Sequence, residues 1–224
     1  MPRMTAPASS GKDPSLAFEA ACFGRGSALV IGVDEVGRGA LAGPVAVGAH
    51  VVLAGAGTFP EGLRDSKLLS EKRREALAPR VAEWGAGAVG YGTAAEIEAY
   101  GITAMLGRAA RRALLELRAG GVDVEAALIL VDGSHDWLSP QLGSPLNVQT
   151  RVGADRSCAS VAAASVRAKV ARDALMREAH ESHPVYGWVS NKGYGSRAHY
   201  DGIAAFGLTE LHRASWIKPT SIAR

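Results

Sequence analysis

At 224 residues, with 47% hydrophobic and 21% charged residues, the chain has the make-up of one globular domain with a sizeable core, not of a disordered or fibrous protein. Its formal charge of +3 suits a polyanionic partner without requiring one. Two cysteines, Cys22 and Cys158, exclude a disulfide framework, and no apolar stretch is long enough to span a bilayer, so reduced thiols in a cytoplasmic protein are expected.

Residues 1–27, rich in Ala, Pro, Ser and Gly, read as a flexible leader with one helical turn over 16–21. The apolar run 28–33 reads as a buried strand and 44–53 as its antiparallel partner. Between them lie the adjacent acids Asp34 and Glu35 and the turn Gly37-Arg38-Gly39. Neighbouring buried carboxylates repel unless a proton or cation intervenes, and glycines let a ligand approach the main chain closely. Each half alone has a plainer reading, as a polar strand end or a surface turn. Residues 65–70 lead into a helix over 71–84, with Ser70 as N-cap, Glu71 in the first turn and a kink expected at Pro79. A third strand covers 87–93, and helices follow over 94–99 and 103–119. Leu106, Ala110, Ala113, Leu114 and Leu117 line one face of the second. The buried strand 126–131 ends on Asp132-Gly133, and 147–152 is a further strand. A long small-residue helix over 157–181 starts just after Asp155, and a last helix spans 196–206. A strand meander followed by alternating strands and helices predicts an α/β mixed sheet flanked by helices.

Four acids stand out: Asp34, Glu35 and Asp132 at strand ends, and Asp155 ahead of a helix. Taken singly, Asp132-Gly133 is a turn and Asp155 a capping acid. Together they form an all-oxygen set suited to a hard divalent ion such as Mg²⁺ or Mn²⁺. Two such ions about 4 Å apart can activate water and stabilise the leaving oxygen in phosphodiester cleavage. No zinc pattern and no P-loop is present.

The segments 32–39 with 42–44, 65–67, 69–74, 131–133, 162–165 with 168–173, 186–187 and 192–195 resemble, in order, those of bacterial ribonuclease HII. The resemblance runs from about residue 29 to Trp216, and the Asp-Glu-Val-Gly-Arg-Gly stretch at 34–39 is its most specific part. It implies a ribonuclease H-like mixed sheet with a C-terminal helical part, a catalytic domain over 28–216 and a tail over 217–224. It implies an endonuclease that hydrolyses the RNA strand of RNA/DNA hybrids and cuts at single ribonucleotides in duplex DNA by a two-metal mechanism. The expected ends are 3′-hydroxyl and 5′-phosphate, and the enzyme a cytoplasmic monomer.

By the same resemblance Asp34, Glu35, Asp132 and Asp155 are catalytic metal ligands. Gly37, Arg38 and Gly39 grip the substrate backbone, and Tyr194 senses the 2′-hydroxyl that separates RNA from DNA. Lys67, Ser165 and Lys192 are expected at the substrate, with Lys169 and Arg172 as further candidates for phosphate. His199 and His212 match late family positions and read as structural, while 211–216 matches a segment bordering the substrate groove. Two departures stand in the sequence: Gly153-Ala154 where the family commonly has Lys-Gly, and Asn191 where it often has His. One rival is the sister type ribonuclease HIII, for whose folded N-terminal domain the leader is too short. Another is a binding module without catalysis, which gains nothing from acids crowded near phosphates. Residues 217–224 offer no aromatic pair for a sliding-clamp contact.

Overall fold

The computed structural model describes residues 13–218. The strands β1 (Leu29–Val36), β2 (Val45–Leu53) and β3 (Gly87–Gly92) form an antiparallel meander. On the other side of β1, β4 (Leu128–Asp132) and then β5 (Asn147–Arg151) add in parallel, giving the order β3-β2-β1-β4-β5. Eight α-helices of the described residues surround this sheet: α1 (Ala17–Phe23), α2 (Glu71–Trp84), α3 (Ala94–Tyr100), α4 (Ile102–Ala119), α5 (Ala154–Ser157), α6 (Ala159–Ser182), α7 (Trp188–Asn191) and α8 (Arg197–Phe206). The mixed sheet flanked by helices is the architecture expected from the order of apolar runs, and the helical C-terminal part is the one that the resemblance implied.

Side-chain alternation along β1 divides the molecule into two layers. Leu29, Ile31 and Val33 pack with Leu106, Ala110 and Leu114 of α4 in the main core. Val30 faces the other way and packs with Leu128, Leu130 and Val161 of α6. Gly32 and Gly48 let α6 lie directly on the strands. A Cβ at Gly32 would stand 2.2 Å from the Ser160 backbone carbon, and one at Gly48 2.2 Å from the Ala164 carbonyl oxygen. Small residues on both sides thus bring α6 close to the face that carries Asp34.

Two local expectations are corrected. Residues 13–27 are not a loose leader: α1 docks on the sheet, and Cys22 is fully buried with Val30, Cys158 and Val161. Glu19 of α1 is also fully buried, and its Oε1 accepts hydrogen bonds from Ser160 N at 2.9 Å and Ser160 Oγ at 2.6 Å. The small-residue composition gave no sign of it, because the partner stands far along the chain. Residues 1–12 of the expected leader and 219–224 of the expected tail lie outside the described residues. Secondly, the helix expected over 157–181 is broken at Cys158, whose extended backbone (φ −119°, ψ 125°) separates α5 from α6. Asp155 therefore sits inside a short helix. The stretch between α6 and α8, for which no element was expected, contains α7, too short to leave a periodic pattern.

Candidate active site

The β1–β4 pairing brings two acids together. Val33 is in register with Val131, so Asp34 and Asp132 follow at equivalent positions on adjacent parallel strands and on the same face, where strands lie about 4.8 Å apart. Asp34 is only 2% exposed, and its Oδ1 accepts a hydrogen bond from Glu35 N at 2.9 Å. Burial, then the neighbouring Glu35 and Asp132 charges, push its carboxyl well above the usual range, against the pull of the Ser165 hydroxyl and Lys67. Glu35 is also raised, chiefly by burial and further by Asp132, while Arg38, 4.0 Å away, opposes this.

Asp132 and Asp155 are joined through backbone. Asp132 Oδ1 accepts from Ala154 N at 2.7 Å and Asp155 N at 3.4 Å, capping α5. Gly153, in the left-handed region at φ 67°, makes the turn from β5 that starts this helix. Glycine one place earlier than the common family pattern thus still delivers a buried Asp155, 3% exposed. Burial, then Asp132 and Asp65, raise the Asp155 carboxyl, against Lys67, whose Nζ lies 3.3 Å from Asp155 Oδ2. Although burial works against its charge, Asp34, Asp155 and Asp65 together hold the Lys67 ammonium above its ordinary pKa.

The loop carrying Lys67 is fixed from below. Asp65 accepts from Lys67 N at 3.0 Å, and Ser66 and Ser165 share a buried hydroxyl–hydroxyl bond of 2.8 Å. Arg74 donates to the Ser66 carbonyl at 2.9 Å and reaches Asp173 of α6 at 3.4 Å. Asp65, 1% exposed, is a charged neighbour of the site that residue patterns did not single out. Its place directly before Ser66-Lys67 was the available signal. Among the described residues no three His, Cys, Asp or Glu groups already surround one point as a metal cage. The donor set nonetheless fits a hard divalent cation completed by water: all its ligating atoms are oxygens, and Asp34, Glu35 and Asp155 are held protonation-prone by burial and mutual repulsion that positive charge would relieve.

The glycine-flanked arginine forms the second half of the site. Gly37 N donates to the Tyr194 hydroxyl at 3.1 Å, while the Arg38 side chain is 55% exposed. Gly37 has φ 82°, and a Cβ there would fall 2.1 Å from Arg172 Nε. Arg172 corrects an expectation. It is fully buried and donates to the carbonyls of Pro44 at 2.7 Å, Lys192 at 2.9 Å and Ala42 at 3.1 Å, so it ties backbone together and does not reach phosphate. Arg213, also fully buried, donates to the Arg38 carbonyl at 2.9 Å and the Gly43 carbonyl at 3.0 Å. Lys169 is engaged by Asp173, and Lys192 turns its ammonium inward to Glu71 Oε1 at 3.1 Å and the Val189 carbonyl. Gly39 is open, with nothing where a side chain would stand. Tyr194 keeps its ring partly exposed, at 37%.

The family model described as Ribonuclease HII matches residues 31–219. A Ribonuclease HII of Streptomyces avermitilis is 46% identical over 192 residues, covering 85% of this chain and 78% of that protein. A Ribonuclease HII of Paracoccus denitrificans is 43% identical, covering 91% of both chains. Among solved structures, Bst-RNase HIII in complex with Mn²⁺ superposes with a TM-score of 0.68 at 24% identity, over 88% of this chain and 70% of that one, a likeness of fold.

Proposed function

The chain belongs to the ribonuclease HII family, and from that premise we propose that it cuts both the RNA strand of RNA/DNA hybrids and single ribonucleotides embedded in duplex DNA. It is a type 2 ribonuclease H, a divalent-metal enzyme of RNA/DNA hybrids. The finer reading adds a two-metal mechanism that leaves 3′-hydroxyl and 5′-phosphate ends. The observation that supports it most is the side-by-side start given to Asp34 and Asp132 by the β1–β4 register, with Asp155 tied to Asp132 through α5.

In this reading Asp34 and Asp132 would hold the ions, with Glu35 as a further ligand to one and Asp155 to the second. Bound Mg²⁺ or Mn²⁺ supplies Lewis acidity for the attacking water and the leaving oxygen. Lys67 balances the acids and sits where it can meet a phosphate, with Ser165 beside Asp34. Arg38, exposed on its turn between Gly37 and Gly39, holds the phosphate and ribose of the substrate. Tyr194, held to Gly37, offers its ring and hydroxyl where the 2′-hydroxyl identifies a ribonucleotide. Lys192 contributes at the same turn through its backbone, its ammonium being engaged elsewhere. The enzyme works as a cytoplasmic monomer, with a catalytic unit that includes α1; no helix among the described residues is long and apolar enough to cross a membrane.

The test uses the full chain with Mg²⁺ or Mn²⁺ on three duplexes: all DNA, DNA with one ribonucleotide, and a continuous hybrid. Cutting of the second and third, with ends that a ligase and a kinase identify as 3′-hydroxyl and 5′-phosphate, is expected. An enzyme that cuts the hybrid but ignores the single ribonucleotide with either metal would overturn the finer reading while leaving the family assignment intact.

A further inference from the structure

Behind Tyr194 lies a run of polar contacts buried among aromatic rings. Trp188 and His199 are fully buried and His212 is 4% exposed, with Tyr186 stacked on Trp188 at 4.9 Å between centroids. The hydrogen-bond partners fix both imidazole tautomers. Indole nitrogen only donates, and Trp188 Nε1 lies 3.1 Å from His199 Nε2, so that nitrogen carries a lone pair. His199 Nδ1 lies 3.0 Å from the Tyr194 carbonyl, which only accepts, so the proton is on Nδ1. Both demands agree on one neutral form. For His212, Nδ1 accepts from Thr209 N at 2.9 Å, which leaves the proton on Nε2. That nitrogen faces His199 Nε2 at 3.2 Å and donates to it. The result is a one-way relay: Thr209 amide to His212, His212 to His199, His199 to the Tyr194 carbonyl. At its far end, the Tyr194 hydroxyl accepts from Gly37 N at 3.1 Å.

We propose that His199 and His212 are positioning residues that hold Tyr194 against the Gly37–Gly39 turn and thereby favour cutting at a lone ribonucleotide over cutting within a continuous hybrid. The inference rests on the reading of Tyr194 as the ribonucleotide sensor. A substrate with one 2′-hydroxyl can be engaged in only one register, so a displaced Tyr194 loses it outright. A continuous hybrid offers an acceptable ribose at every step and tolerates the displacement better. The relay also demands neutral rings, since a second proton on His199 would set three donors against one another.

The experiment measures kcat/KM of the full-length enzyme on the one-ribonucleotide duplex and on the continuous hybrid. His199→Phe keeps a ring and removes all three of these bonds, of which the one to the Tyr194 carbonyl does the positioning, and should lower the ratio of the two activities about tenfold, the scale of one lost positioning hydrogen bond. His199→Asn keeps an N–H near the Nδ1 position and should restore the ratio to within about threefold of the unmodified enzyme. Equal losses on both substrates, which a merely structural role would give, or an unchanged ratio, would overturn the proposal. Should His199→Phe not fold, His212→Phe decides in the same way: a lowered ratio supports the relay and an unchanged one refutes it. Tyr194→Ala separates the two levels. If it leaves the ratio intact, the sensor reading itself is wrong; if it collapses the ratio while the histidine variants do not, only the relay is wrong.

Discussion

Asp34 weakens the fold that holds it. Its folded-state pKa is raised, so the native protein binds a proton more readily than the unfolded chain, and the ionised group costs stability as pH rises above the usual carboxylate range. Asp34→Asn is therefore expected to abolish cleavage, retain hybrid binding and raise the melting temperature in EDTA, by about 2–4 °C for each kcal/mol relieved. Saturating Mg²⁺ should narrow that difference, because only the unmodified carboxylate gains from the ion; calorimetry with and without metal reads both. A variant that melts earlier in EDTA would contradict the repulsion argument. Gly37→Ala meets a different obstacle, a positive φ together with the Arg172 guanidinium, and should destabilise by about 1–3 kcal/mol in a denaturant titration and reduce cleavage. At this scale the sequence was legible wherever an acid ended an apolar run, as at Asp34 and Asp132. It was not legible where a charge is consumed inside the protein. Arg172 and Lys169 look like any basic helix residues until their acceptors, Pro44, Ala42 and Asp173, are seen.

The elements were readable to the extent that their causes are local. Ser70 caps α2 by accepting from Arg73 N, and the Leu106–Leu117 face of α4 meets the sheet as its period foretold. The α1 docking had no such local cause, because Glu19 pairs with Ser160 near the start of α6. A carboxylate there serves the unpaired amides of the helix end. Glu19→Ala should cost about 1–3 kcal/mol of unfolding free energy, seen as a lower urea midpoint, since it leaves a buried amide and hydroxyl unpaired. An unchanged midpoint would show α1 to be incidental. Helix α6 also depends on the two glycines beneath it. Gly48→Ala would force α6 off β2 at Ala164, next to Ser165, and should impair cleavage and stability together.

Across the whole molecule, buried histidines set an acid limit that no local pattern announced. His50, stacked on Trp84 at 4.9 Å, accepts from Arg167 Nε at 3.0 Å; burial, then the Arg167 charge, lower its pKa to about 3. Between pH 6.5 and that value the unfolded chain takes up a proton that the folded one refuses, so this site's contribution to stability is lost as pH falls. Comparison with His50→Phe isolates it, because the opposing carboxylates are common to both proteins. The stability difference should be constant above pH 7 and move in favour of the variant between pH 6.5 and 4.5. A difference that stays constant through pH 4.5 would show His50 charging freely. The β1–β4 register has a consequence on a longer timescale. The carboxylate pair belongs to strands separated by β2, β3 and three whole helices, and Asp155 arrives later still. During synthesis a ribosome must therefore extrude the chain past α5 before the proposed acidic centre can assemble, and a nascent fragment ending in α4 holds Asp34 without the strand that sets Asp132 beside it.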